Sequence, residues 1–109
     1  MLRVMQARSG GNNNTGIAIA DQVIGPENAD IAANASRFKI TILSTGTGVC
    51  LIAAGNHTGG GAVGFPVAGG AADDDGTGRT WWTHNQAAIW IWDLAGAGTC
   101  KWRYHEETF

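Results

Sequence analysis

The chain has 109 residues, of which 44% are hydrophobic and only 15% charged, against the roughly 25% charged residues usual in globular proteins, and its formal net charge is -2. That length supports one domain around a single small core, and the absence of clustered Lys and Arg excludes a nucleic-acid backbone as the main partner. No stretch approaches the roughly 18 consecutive apolar residues of a membrane helix, and residues 1–6 lack the apolar centre of a signal peptide, so the expectation is no membrane partner and synthesis in the cytoplasm.

Residues 1–16 read as an arm and joint. Leu2 and Val4 lie on one side and Arg3 on the other, and the run Ser9-Gly10-Gly11-Asn12-Asn13-Asn14-Thr15-Gly16 breaks the alternation. A neighbouring subunit, or an edge position on its own domain, would hold such a segment. The domain proper spans 17–109. Residues 16–24 pattern as a strand, with Ile17 and Ile19 on one face and Ala18 and Ala20 on the other. Residues 26–35 begin with Pro26 and are rich in Ala. They suit one or two helical turns or a loop, since Ile31 is their only large apolar side chain.

From Arg37 the alternation is sharp: Phe38, Ile40 and Ile42 lie on one side, Arg37, Lys39 and Thr41 on the other. A glycine-bearing turn at 44–48 and a return strand at 49–54 complete an expected hairpin over about 37–54. Residues 55–79 hold many of the 17 glycines and form the expected contact loop, with a short edge strand near Phe65 as the alternative; Pro66 forbids a central strand there. A second hairpin is expected over about 87–106. The predicted architecture is therefore all-β, a small sandwich or barrel built on two hairpins.

The two hairpins repeat. Gly46-Thr47-Gly48-Val49-Cys50 and Gly96-Ala97-Gly98-Thr99-Cys100 share the pattern Gly-x-Gly-x-Cys at an offset of 50 residues. Extending the offset sets Ile40 against Trp90, Ile42 against Trp92 and Ile52 against Trp102. With five-residue loops, Ile42 faces Cys50 and Ile40 faces Ile52, while Trp92 faces Cys100 and Trp90 faces Trp102. Phe38 then joins the first apolar face, Ala88 and Tyr104 the second, and Lys101 and Arg103 share the opposite face with Ile89, Ile91 and Asp93. A four-residue loop would instead pair Trp90 with Arg103 and Trp92 with Lys101 in a cation–π ladder. Without a secretion signal, Cys50 and Cys100 are expected as buried thiols.

Trp81 and Trp82 lie outside the repeat. With His84 and Asn85 they combine the aromatic and amide groups that stack on and bond to sugars, although neighbouring strand residues point to opposite faces, so only one tryptophan joins any platform. Packing in a core or at a subunit interface is the competing reading. Asp73-Asp74-Asp75 either forms a solvated acidic turn or offers oxygen ligands to calcium, without the full twelve-residue loop. Cys50, Cys100, His57, His84 and His105 lack zinc-ligand spacing. Ser9, Ser36 and Ser44 lack a base or a strained turn, and Gly46-Thr47-Gly48 is not a nucleotide fingerprint, so neither an enzyme nor a cofactor is expected.

In style the chain resembles the small all-β accessory proteins of bacteriophage virions, the capsid decoration or cement proteins: a short β-domain rich in Gly, Ala, Thr and Asn, poor in charge, with a terminal arm. No diagnostic motif carries the resemblance. It implies a virion location, a function in stabilising a shell by binding between capsid or other virion subunits, and a homo-oligomer, with a trimer favoured. The contact residues then expected are Leu2, Arg3, Val4, Met5, Val63, Phe65, Val67 and Phe109. The alternative is a carbohydrate-binding module or fibre domain that uses Trp81 or Trp82 with His84 and Asn85.

Overall fold

The computed structural model describes residues 6–15, 17–18, 29–55, 64–95 and 98–109. Their strands are β1 (Gln6–Thr15), β2 (Ile17–Ala18), β3 (Arg37–Ser44), β4 (Cys50–Ala54), β5 (Phe65–Val67), β6 (Thr80–Thr83), β7 (Ile89–Asp93) and β8 (Lys101–Thr108). They form two four-stranded sheets, ordered β1-β8-β3-β6 and β2-β7-β4-β5, here called sheets A and B. The all-β expectation holds, and the form is a sandwich rather than a closed barrel. Among the described residues there is no helix, and the short stretch 29–35 is a loop that meets the sheet through an Ile31–Ile89 bridge.

The connections differ from the expected hairpins. β3 does not pair with β4, nor β7 with β8; instead β3 pairs with β8 in sheet A, and β4 with β7 in sheet B. Each strand–turn–strand unit is therefore an arch that leaves one sheet and enters the other. The two arches cross in opposite senses and lock together at their tips. Thr45 and Gly48 donate main-chain hydrogen bonds to the carbonyls of Lys101 (2.8 Å) and Thr99 (3.0 Å), and Leu94 donates to Val49 (3.1 Å). Glycine is needed where the tips touch, because a β-carbon on Gly46 would collide with the Thr99 carbonyl and one on Gly48 with the Thr99 side chain.

The repeat at offset 50 describes this crossing. Its matched positions Cys50 and Cys100 meet as a disulfide, with Cα atoms 5.2 Å apart, where sequence context favoured two thiols. The bond ties one sheet to the other across the core.

The phase of the repeat breaks at β7. Ile89 and Ile91, not Trp90 and Trp92, enter the inter-sheet core with Ile31, Ile40, Ile42, Cys50, Ile52, Val67, Cys100 and Trp102. Trp90 and Trp92 lie on the other face of sheet B with Leu51 and Ala88, and are still only 1% and 0% exposed. All five residues of β7 are buried. Alternation reveals a core face only when the opposite face is wet, so a strand covered on both sides leaves its phase unreadable. Neither loop-length register survives: Leu51 sits opposite Trp92 and Ala53 opposite Trp90, while Trp102 sits opposite Ser44.

β3 begins with a second departure. The register against β8 shifts between Arg37, opposite Thr108, and Lys39, opposite Glu107, so Phe38 is an extra residue in a bulge. The bulge reverses the expected parity at this end. Arg37 becomes 1% exposed, and Phe38 leaves the core to pack on other rings.

The contact-loop expectation meets three outcomes. Residues 56–63, including Val63, lie outside the described residues, as do Leu2, Arg3, Val4 and Met5. Phe65–Val67 is the short edge strand of the alternative reading, paired with β4. Residues 68–79 fold back on the domain itself: Gly70 and Asp74 donate to the carbonyls of Gly46 and Thr45, and Asp73 and Asp74 form ion pairs with Lys101 (2.6 Å) and Arg103 (2.8 Å). Val67 is a core residue, 3% exposed, and cannot be a surface contact. Of the expected arm, Gln6–Thr15 is the edge strand β1 along β8.

Candidate functional site: an aromatic face on sheet A

Strand parity separates the adjacent tryptophans of β6. Ile42 stands opposite Trp81 and Thr41 opposite Trp82, and directly opposed residues share a face. Trp81 therefore packs against the core, whereas Trp82 emerges on the outer face with 54% of its surface exposed. The aromatic platform foreseen at this pair contains one tryptophan only.

Rings from distant parts of the chain gather around it. His84 meets Trp82 edge-on at 5.1 Å between centroids and Phe38 at 5.3 Å; Phe38 in turn meets Phe109 edge-on at 5.2 Å. Lys39 places its ammonium 4.8 Å from the centre of a Trp82 ring, close enough for a cation–π contact of about 0.5–1 kcal/mol at an exposed site. The patch thus unites Trp82 and His84, expected for ligand stacking, with Phe109, expected for subunit contact. Phe38 and Lys39 complete it, and sequence reasoning missed both, because the bulge that turns Phe38 outward has no local signature.

The supports of the patch are main-chain bonds. The His84 Nδ1 lies 2.8 Å from the Phe38 carbonyl oxygen, and the Phe109 N–H donates to the Ser36 carbonyl at 2.9 Å. Asn85 is consumed by the turn after β6: its side-chain oxygen accepts from the Ala87 N–H at 2.8 Å and its carbonyl accepts from Arg37 at 2.8 Å. Both of its oxygens are therefore engaged within the fold. Phe65, the other exposed member of the expected contact set, is 61% exposed on β5 of the other sheet and is not part of this face.

Beneath the patch lies a buried polar cluster. The Arg37 Nε donates to Glu106 at 2.8 Å, its Nη1 to the carbonyls of Asn85 and Ala87, and its Nη2 to the carbonyl of Ala32; Asn34 donates to the second Glu106 oxygen at 3.1 Å. This one guanidinium ties together β3, β8, the loop before β3 and the loop after β6. A planar fork with five donors suits that work. It positions the aromatic patch and is not exposed to any ligand, since both side chains are at most 1% accessible.

At the opposite end of sheet A the acidic turn is also spoken for. Asp73 and Asp74 hold Lys101 and Arg103, and Asp75 accepts from the Thr77 hydroxyl and N–H and from the Ala72 N–H. The Thr77 hydroxyl, followed by its N–H, holds the Asp75 carboxyl below the ordinary Asp range. Among the described residues no group of three or more His, Cys, Asp or Glu side chains is arranged to hold a metal ion, and no enclosed pocket is present.

No protein-family model matches the chain, nor does any curated protein or solved structure.

Proposed function

We propose that the chain is a structural virion protein of the capsid decoration type, which docks flat on protein subunits of a shell through the outer aromatic face of sheet A. The observation that carries this reading is the outer row of rings Trp82, His84, Phe38 and Phe109, all exposed except the half-buried Phe38, on the surface of a disulfide-tied sandwich. Aromatic side chains are over-represented at protein interfaces, and they bury large areas with few rotors to freeze. A row of rings on an open sheet face suits a protein surface better than a small molecule, which normally binds in a concave site.

A carbohydrate-binding reading has weaker support. It needs Trp82 to offer an open ring, with His84 and Asn85 beside it as hydrogen-bonding groups. Lys39 stands over that ring, and the Asn85 oxygens are engaged in the fold.

The test is recovery of the chain in gradient-purified phage particles, quantified by mass spectrometry, followed by rebinding of the wild type and Trp82→Ser to particles stripped of it. The proposal expects the chain in the particles and a reduced occupancy of the variant. Particles that lack the chain overturn it. Quenching of the Trp82 fluorescence by a glycan panel, with no association with particles, would favour the alternative.

A further inference from the structure

The edges of the two sheets are not equally protected. β2 is two residues long, β5 carries Pro66, and β1 has a register shift between Gly10 and Asn14. Each of these features hinders the addition of a further strand. β6 has none of them. Its sequence Thr80-Trp81-Trp82-Thr83 is uncharged, free of proline and glycine, and made of residue types that favour strands.

The main chain of β6 is also directed outward at known positions. Ser44 donates to the Arg79 carbonyl at 3.0 Å, in phase with the register that sets Ile42 opposite Trp81 and Ile40 opposite Thr83. Hydrogen-bonded pairs alternate along an antiparallel ladder, so Trp81 and Thr83 turn their N–H and C=O groups toward β3. Thr80 and Trp82 turn theirs to the open edge. Both residues are exposed, and neither has a main-chain partner on that side among the described residues.

We propose that β6 pairs antiparallel with β6 of a second copy of this chain, joining two A sheets into one across a two-fold axis. Two requirements restrict the register. The outward-directed groups of Thr80 and Trp82 must meet one another, and Trp81 of both copies must stay on the core side. Both are met when Thr80 of one copy lies opposite Trp82 of the other, with Trp81 opposite Trp81 at the axis. Thr80 and Trp82 then each donate to and accept from the second copy. No charge lies on either β6, so the pairing meets no repulsion there. The occupant is a second copy because the strand is its own complement, and a two-fold contact closes after two copies.

The pairing places both Trp82 side chains on one continuous outer face, which doubles the aromatic patch. It does not rest on the shell-docking proposal, because it is read in the isolated protein without particles. Light scattering and sedimentation equilibrium on the full chain should show a concentration-dependent dimer. Trp82→Pro removes an N–H directed away from β3 and should abolish the dimer while circular dichroism stays that of the wild type; Trp82→Thr keeps the main-chain donor and should weaken the dimer by roughly tenfold without abolishing it. A wild-type protein that remains monomeric, or forms trimers, overturns the inference, as does a folded Trp82→Pro dimer of unchanged affinity. Should Trp82→Pro not fold, hydrogen exchange on the wild type decides: Trp81 and Thr83 amides are protected at all concentrations, and those of Thr80 and Trp82 only when the protein is concentrated. Rapid exchange of Thr80 and Trp82 in the concentrated sample overturns the pairing.

Discussion

Arg37 and Glu106, 69 residues apart in sequence, form a buried ion pair at 2.8 Å with almost no solvent access to either side chain. The pair exists because of the bulge at Phe38, which sends Arg37 inward to the face that Glu106 occupies. Two charges removed from water cost several kcal/mol each, and here the cost is offset by further hydrogen bonds to Asn34 and to three main-chain carbonyls. Glu106→Gln should therefore destabilise the protein by about 3–5 kcal/mol, by leaving the guanidinium without its counter-charge. A double-mutant cycle with Arg37→Met, read by denaturant unfolding, should show strong coupling; additive effects would mean that the pair is not a unit.

The disulfide should contribute more than the salt bridges of the surface. Cys50 and Cys100 are separated by 50 residues, and closing a loop of that size restricts the unfolded chain by roughly 4 kcal/mol in the chain-entropy model. Cys50→Ala/Cys100→Ala, or reduction of the wild type, should lower the unfolding midpoint accordingly. The exposed pair Lys101–Asp73 should matter little, with Lys101→Met costing at most about 1 kcal/mol.

Gly46→Ala tests the locked arches. The added methyl meets the Thr99 carbonyl, which belongs to the opposing tip and has no room to retreat without breaking main-chain bonds. A loss of about 1–3 kcal/mol is expected. Gly55→Ala, which meets nothing within 4 Å but sits at φ 104°, should cost through backbone strain instead, at roughly 1 kcal/mol.

The acidic turn should respond to pH in a defined direction. Asp75 is held below the ordinary Asp range by the Thr77 hydroxyl and N–H. Its contribution is therefore complete above the unfolded-state value and is lost as the pH falls through the lower folded value. An NMR titration of the Asp75 carboxyl should give a midpoint below that of a free Asp, and Thr77→Val should raise it. An unshifted midpoint in the wild type would remove this account of the turn.

Much of the fold was legible in the sequence, because its signals are local. Alternation from Arg37 to Ile42 reports a half-buried strand, Pro66 reports an edge, and Gly-x-Gly-x-Cys at a constant offset reports related turns. The inward positions Ile40, Ile42, Ile52 and Trp102 follow from those signals and are found in the core. So does the separation of Trp81 from Trp82, since neighbours in a strand face opposite ways.

What local signals could not supply was which strands pair. A turn of given composition serves a hairpin or an arch equally well, and the choice depends on where the second sheet lies. β7 shows the same limit: with both faces covered, its alternating Ile and Trp side chains are all apolar and all buried, so only the tertiary contacts distinguish inside from outside. The aromatic patch depends on both effects, since the bulge at Phe38 and the return of Phe109 to Ser36 bring its rings to Trp82. Composition and alternation determined an all-β chain with two related turns and two adjacent tryptophans, Trp81 and Trp82, that face opposite ways. The crossing of the arches, the Cys50–Cys100 bond and the place of β6 at the end of its sheet among the described strands were decided by tertiary structure, because each is a relation between segments whose own sequences are compatible with other partners.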